Sequence, residues 1–130
     1  MKIGFAERDI TPEPGMEKPG GYGKAFHTKF HDPCKVRVAV FEAEGSRVAL
    51  VGVDALVVPA HLVQAARREI ERRRGLPSCC VLVGASHSHS AGPTGMVQPG
   101  EYDHADEFVQ YLAYEKFSAP QIAQLRALPL

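Results

Sequence analysis

Residues 35–53 constrain the fold more than any other stretch of this chain. Lys35-Val36-Arg37-Val38-Ala39-Val40-Phe41 alternates polar and apolar side chains, which is the period of a half-buried strand. Glu44-Gly45-Ser46 then turns the chain into the apolar segment Arg47-Val48-Ala49-Leu50-Val51-Gly52-Val53. The two runs predict a hairpin. Beyond it, Pro59 opens a helix whose Leu62, Val63, Ala66 and Ile70 form one apolar stripe, and Gly75 supplies the stop. The run Cys79-Cys80-Val81-Leu82-Val83-Gly84 reads as a buried strand. Residues 1–10 add a strand with Ile3 and Phe5 on one face, and 105–116 a second helical stretch. The order β-β-β-α-β-α predicts an α/β fold, a mixed β-sheet with flanking helices.

Composition narrows the function classes. The 130 residues give room for one domain with its own core. Fifteen basic and fifteen acidic residues cancel, so there is no electrostatic case for nucleic acid. The basic run Arg67 to Arg74 is interleaved with Glu69 and Glu71 and lies near the predicted helix C-terminus, which favours cations; it reads as a solvated face. No apolar run is long enough for a transmembrane segment. No charged-then-apolar leader opens the sequence, so the expected location is cytoplasmic. The three cysteines are an odd number and offer no disulfide framework. Cys79 and Cys80, adjacent in the predicted strand, are expected on opposite faces, and Cys34 is expected to be a small buried hydrophobe.

The chemistry concentrates in Ala85-Ser86-His87-Ser88-His89-Ser90-Ala91-Gly92-Pro93. In extended backbone, residues i and i+2 share a face, so His87 and His89 can address one metal ion or one substrate. They follow a predicted strand, and ligands of open α/β sheets sit at the carboxyl ends of strands. A catalytic zinc takes three protein ligands, so the pair is part of a site, or else two loop histidines that are solvated or hydrogen-bonded to nearby backbone. Asp54, at another strand end, either orients a ligating imidazole or serves as a helix cap or turn carboxylate. The long Gly- and Pro-rich segment 11–33 reads as an irregular loop. Within it, Gly20-Gly21-Tyr22-Gly23-Lys24 lacks the spacing of a phosphate cradle. His27 and His31, four apart, would chelate only on a helix, which Pro33 and the glycines disfavour. His104, beside Asp103, is by default a surface residue.

The order of these motifs resembles the N-terminal part of the neutral/alkaline (non-lysosomal) ceramidase family, zinc-dependent amidohydrolases of sphingolipid metabolism. The resemblance rests on Ile3-Gly4-Phe5-Ala6-Glu7-Arg8-Asp9-Ile10-Thr11-Pro12, on Gly20-Gly21-Tyr22-Gly23, and on His31-Asp32-Pro33 with Arg37 and the strand ending Val51-Gly52-Val53-Asp54. Its last piece is Ser86-His87-Ser88-His89-Ser90, which is followed by an inserted Ala91 before Gly92-Pro93. It spans residues 3–115.

The resemblance implies a Zn2+ cofactor with His87 as a ligand, His89 as the active-site residue beside it, His31 on the substrate side, and Gly21 and Tyr22 flanking the substrate cleft. It implies hydrolysis of an N-acyl lipid such as ceramide, or of another small amide or ester. The family's further ligands, a His, a Glu and a Tyr, and its serine-bearing motif follow the His-x-His segment, and nothing in this sequence matches them. Residues 1–116 are therefore expected to be an incomplete, N-terminal portion of a larger catalytic domain, with 117–130 an unassigned tail. The alternative is a non-catalytic α/β module lacking the remaining zinc ligands. A third possibility is a metal site built within this chain from His87, His89 and one of His31, Asp54 or His104.

Overall fold

Four strands of residues Met1–Thr94 form one sheet in the order of the chain: β1 (Lys2–Asp9), β2 (Lys35–Ala43), β3 (Ser46–Val53) and β4 (Val81–Ala85). The structure is a computed structural model and describes residues 1–21, 25–94 and 104. The chain divides into two units, Met1–Thr94 and Gly95–Leu130; the second is described at His104 alone, an exposed turn residue. The expected helix over 105–116 lies outside the described residues.

The β2–β3 hairpin follows from its turn. Ala43 pairs with Ser46, and the two residues between them, Glu44 and Gly45, have φ of 51° and 78°. A two-residue hairpin loop with both central residues at positive φ matches the right-handed twist of its strands. β1 pairs antiparallel with β2 from Lys2 opposite Glu42 to Asp9 opposite Lys35. β3 and β4 are parallel, from Ala49 opposite Val81 to Val53 opposite Ala85, and a parallel pair needs a crossover. Helix α1 (Ala60–Arg74) supplies it, starting after Pro59 and ending on Gly75, whose left-handed φ of 61° lets its N–H reach the Glu71 carbonyl at 2.9 Å. The mixed sheet and the order β-β-β-α-β agree with the sequence reading.

Cross-strand pairs share a face, so the register sorts the sheet. Val40, Ala49 and Val81 form one row and Val38, Val51 and Val83 the next. These rows, with Leu76, Ile70 and Cys80, make the core, in which Ala49, Leu76 and Val81 are buried. On the opposite face, Phe5, Ala39, Leu50 and Leu82 form one row and Ile3, Phe41 and Val48 another. Phe5 is 80% exposed and Leu82 63%, and Ile3, Val48 and Leu50 are exposed as well. Among the described residues, one layer covers one face of the sheet.

Two expectations need correction. The apolar run at 79–84 is not a strand throughout, because Ser78–Cys80 form a 3-10 turn after Pro77, with the Cys80 N–H on the Pro77 carbonyl at 2.8 Å. The strand begins at Val81 and is buried on one face, not two. The helix stripe also differs. Ala66 is exposed, and the half-buried position beside Leu62, Val63 and Ile70 goes to Arg67, whose Nε donates to the Val81 carbonyl at 2.9 Å. Its aliphatic stem covers apolar surface while the guanidinium satisfies a strand carbonyl. The rest of the basic run is solvated as expected. Glu69 accepts from Arg72, at 2.8 Å to each oxygen, and from Arg73, which brings its carboxyl down to about 2. Among the described residues, no helix is long and apolar enough to cross a membrane.

Candidate functional site

The His-x-His segment leaves the sheet at the carboxyl ends of the parallel pair. The Ser86 N–H donates to the Val53 carbonyl at 2.9 Å and the Ser88 N–H to the Ala55 carbonyl at 3.0 Å, so residues 86–88 continue beside the chain that leaves β3. The strand itself ends at Ala85, and His87 adopts a left-handed φ of 59°. Extended backbone therefore does not explain why the two rings meet. They are brought together by separate anchors. His87 Nδ1 lies 3.0 Å from the Leu56 carbonyl oxygen and His89 Nδ1 3.1 Å from that of Gly20, leaving the ring centroids 5.2 Å apart at an interplanar angle of 78°.

These anchors fix the chemistry of both rings. A carbonyl only accepts, so Nδ1 carries a proton in each ring, and the neutral form of each is the tautomer whose Nε2 lone pair is left for a metal, a proton or a substrate N–H. A ligating histidine is commonly held by this hydrogen bond. A non-glycine residue at positive φ costs about 1 kcal/mol or more, and such outliers cluster at functional sites. Gly20 is required where it stands. Its φ is 94°, and a Cβ there would come within 2.9 Å of His89 Cε1.

Behind the pair, the loop is locked by packing and hydrogen bonds that the sequence does not announce. His27 is buried, with Nε2–H on the Ala91 carbonyl at 3.0 Å and its ring 4.5 Å from that of Phe30. Ala91 is itself fully buried. Gly92 packs so closely on Pro12 that a Cβ would stand 2.9 Å from the proline Cβ. The Asp9-Ile10-Thr11 motif is a brace: Asp9 accepts the Thr11 N–H at 2.7 Å, Thr11 Oγ1 accepts the Cys34 N–H at 3.0 Å, and the Ile10 N–H donates to the Cys34 carbonyl at 2.9 Å. Cys34 is buried, and burial with the Asp54 and Asp9 charges pushes its thiol up, which suits the expected small hydrophobe.

Asp54 is neither a helix cap nor a turn carboxylate but bonds across two strand ends. Its carboxylate accepts from the Lys35 N–H and from Arg37, each at 2.9 Å, with the Ser86 side chain adding to the set; the Lys35 bond first and Arg37 next hold its carboxyl below the usual range. The acceptor therefore ties the end of β3 to the start of β2. His31 is exposed and faces Asp32 at 2.8 Å. Both line a cleft of about 680 Å³ with Asp54, His27, Lys18 and Lys29, and Ser88 and Ser90 line it too. His87 and His89 are not among the lining residues of that cleft. Gly21 is exposed beside Gly20, and Tyr22 lies outside the described residues. Among the described residues, no group of three His, Cys, Asp or Glu side chains is placed to hold a metal ion. A scan of family models and searches of curated proteins and solved structures found no match to the chain.

Proposed function

We propose that this chain is the imidazole-bearing, N-terminal part of a zinc-dependent hydrolase of N-acyl bonds, related to the neutral/alkaline ceramidases and acting on ceramide or another N-acyl lipid or small amide. The observation that carries the reading is the pair of Nδ1–carbonyl hydrogen bonds, which holds two adjacent imidazoles in the tautomer that ligates or takes protons through Nε2. The donor set fits zinc in kind and falls short in number, since a catalytic site takes three protein ligands. Nothing in this sequence matches the further ligands that this reading calls for.

His87 is the ligand and His89 the residue beside the metal that orients water or passes a proton to the leaving amine. Zinc, when bound, would lower the pKa of its water toward neutrality and polarise the acyl carbonyl. Equilibrium dialysis against zinc, followed by elemental analysis, tests the metal part. Uptake by the purified chain should fall at least tenfold in apparent affinity in His87→Ala, and equal uptake by both would overturn the assignment. In a complete version of the domain, His87→Ala should abolish release of fatty acid from an N-acyl sphingoid probe, and full turnover with unchanged metal content would overturn the hydrolase reading.

A further inference from the structure

Cys79 and Cys80 carry a second, independent chemistry. In a strand, adjacent side chains point to opposite faces. The 3-10 turn at Ser78–Cys80 instead folds the two thiols together, with Sγ atoms 3.9 Å apart, Cys79 exposed and Cys80 half-buried. That separation selects among the reactions open to two thiols. A disulfide requires the sulfurs to close to about 2.05 Å. Two thiolates on one tetrahedral centre, each at about 2.3 Å, stand about 3.8 Å apart, and on a pyramidal trivalent centre somewhat closer, so the observed pair needs only a small closure to chelate one soft atom and a much larger one to form a disulfide. Thiolates select soft acceptors over hard ones.

We propose that Cys79 and Cys80 form a vicinal dithiol site for soft, thiophilic electrophiles with two exchangeable positions, of the monosubstituted trivalent arsenical class. Capture is a ligand exchange. Two As–S bonds form, the arsenic–oxygen double bond of the arsenoxide breaks, and the oxygen leaves as water with both thiol protons. Arsenic remains trivalent, so no oxidant or reductant is needed. The second bond forms within a complex already joined by the first, so the second thiol acts at a high effective concentration and the chelate outlasts adducts of single thiols. Cys34, the remaining cysteine, is buried and stands alone against the Ser90 carbonyl, so it does not compete.

The test is phenylarsine oxide binding to the reduced full chain, read by intact mass in the presence of excess monothiol. One phenylarsenic group per chain, retained against monothiol and removed by 2,3-dimercaptopropanol, is the expected result. Cys79→Ser, an exposed position whose replacement leaves the core intact, should lower retention at least tenfold, and Cys34→Ser should leave it unchanged. No adduct under monothiol competition, full retention in Cys79→Ser, or loss in Cys34→Ser would each overturn the site. Retention should also exceed that of the urea-unfolded chain at least tenfold; equal retention would mean that adjacency in sequence alone suffices and would overturn the preformed geometry.

Discussion

His89 shows how much at a single residue was readable and how much was not. The His-x-His spacing marked both imidazoles, but what holds the two rings near each other lies in carbonyls remote in the chain, 31 residues from His87 at Leu56 and 69 residues from His89 at Gly20. No local pattern announces such partners, and a left-handed φ at a histidine has no sequence signal of the kind glycine gives. His27 was equally silent, since its partner is a backbone carbonyl at Ala91. The Gly20 anchor is open to direct test. Gly20→Ala places a Cβ against the His89 ring at a φ of 94°, which should cost about 1–3 kcal/mol and move the loop. Imidazole 15N shifts should then show His89 losing its fixed Nδ1–H tautomer while His87, held by Leu56, keeps its own. An unchanged His89 tautomer would remove Gly20 from the account of the site.

At the scale of elements, the hairpin, the helix and their order were legible because each is written in local periodicity and turn chemistry. The 3-10 turn at Ser78–Cys80 was hidden within an apolar run that reads the same in either conformation. The clasp at Asp54 was half legible: the strand-end carboxylate was visible, its long-range partners Lys35 and Arg37 were not. That clasp predicts a pH dependence. The folded Asp54 carboxyl sits below its ordinary value of 3.8, so its contribution to stability is present above that pH and is lost as pH falls through the folded value. Asp9 and Glu7 are lowered too and act in the same acid window. Asp54→Asn should therefore lower stability at pH 7 and flatten, without abolishing, the loss of stability below about pH 4. Urea melts at pH 7 and pH 3 decide it: an Asn variant that tracks the parent at both would mean that the clasp carries no net energy.

The described molecule as a whole is a sheet dressed on one side, and this is the property its sequence conveyed least. Period-two alternation in β2 suggested one buried face, yet the other face is not polar: Phe5, Leu50 and Leu82 share a row there, and Ile3, Phe41 and Val48 the next. Among the described residues these rows have no covering layer. Neighbouring residues of β4 measure the asymmetry. Val81 is buried against Ala49 and Leu76, so Val81→Ala should cost about 1–3 kcal/mol. Leu82 is 63% exposed on the other face, so Leu82→Ala should stay within about 0.5 kcal/mol. Urea unfolding of the two variants, with m-values compared, reads the difference directly. Costs of equal size would mean that the Leu82 face is covered in solution, and the one-layer description of the described residues would then fail.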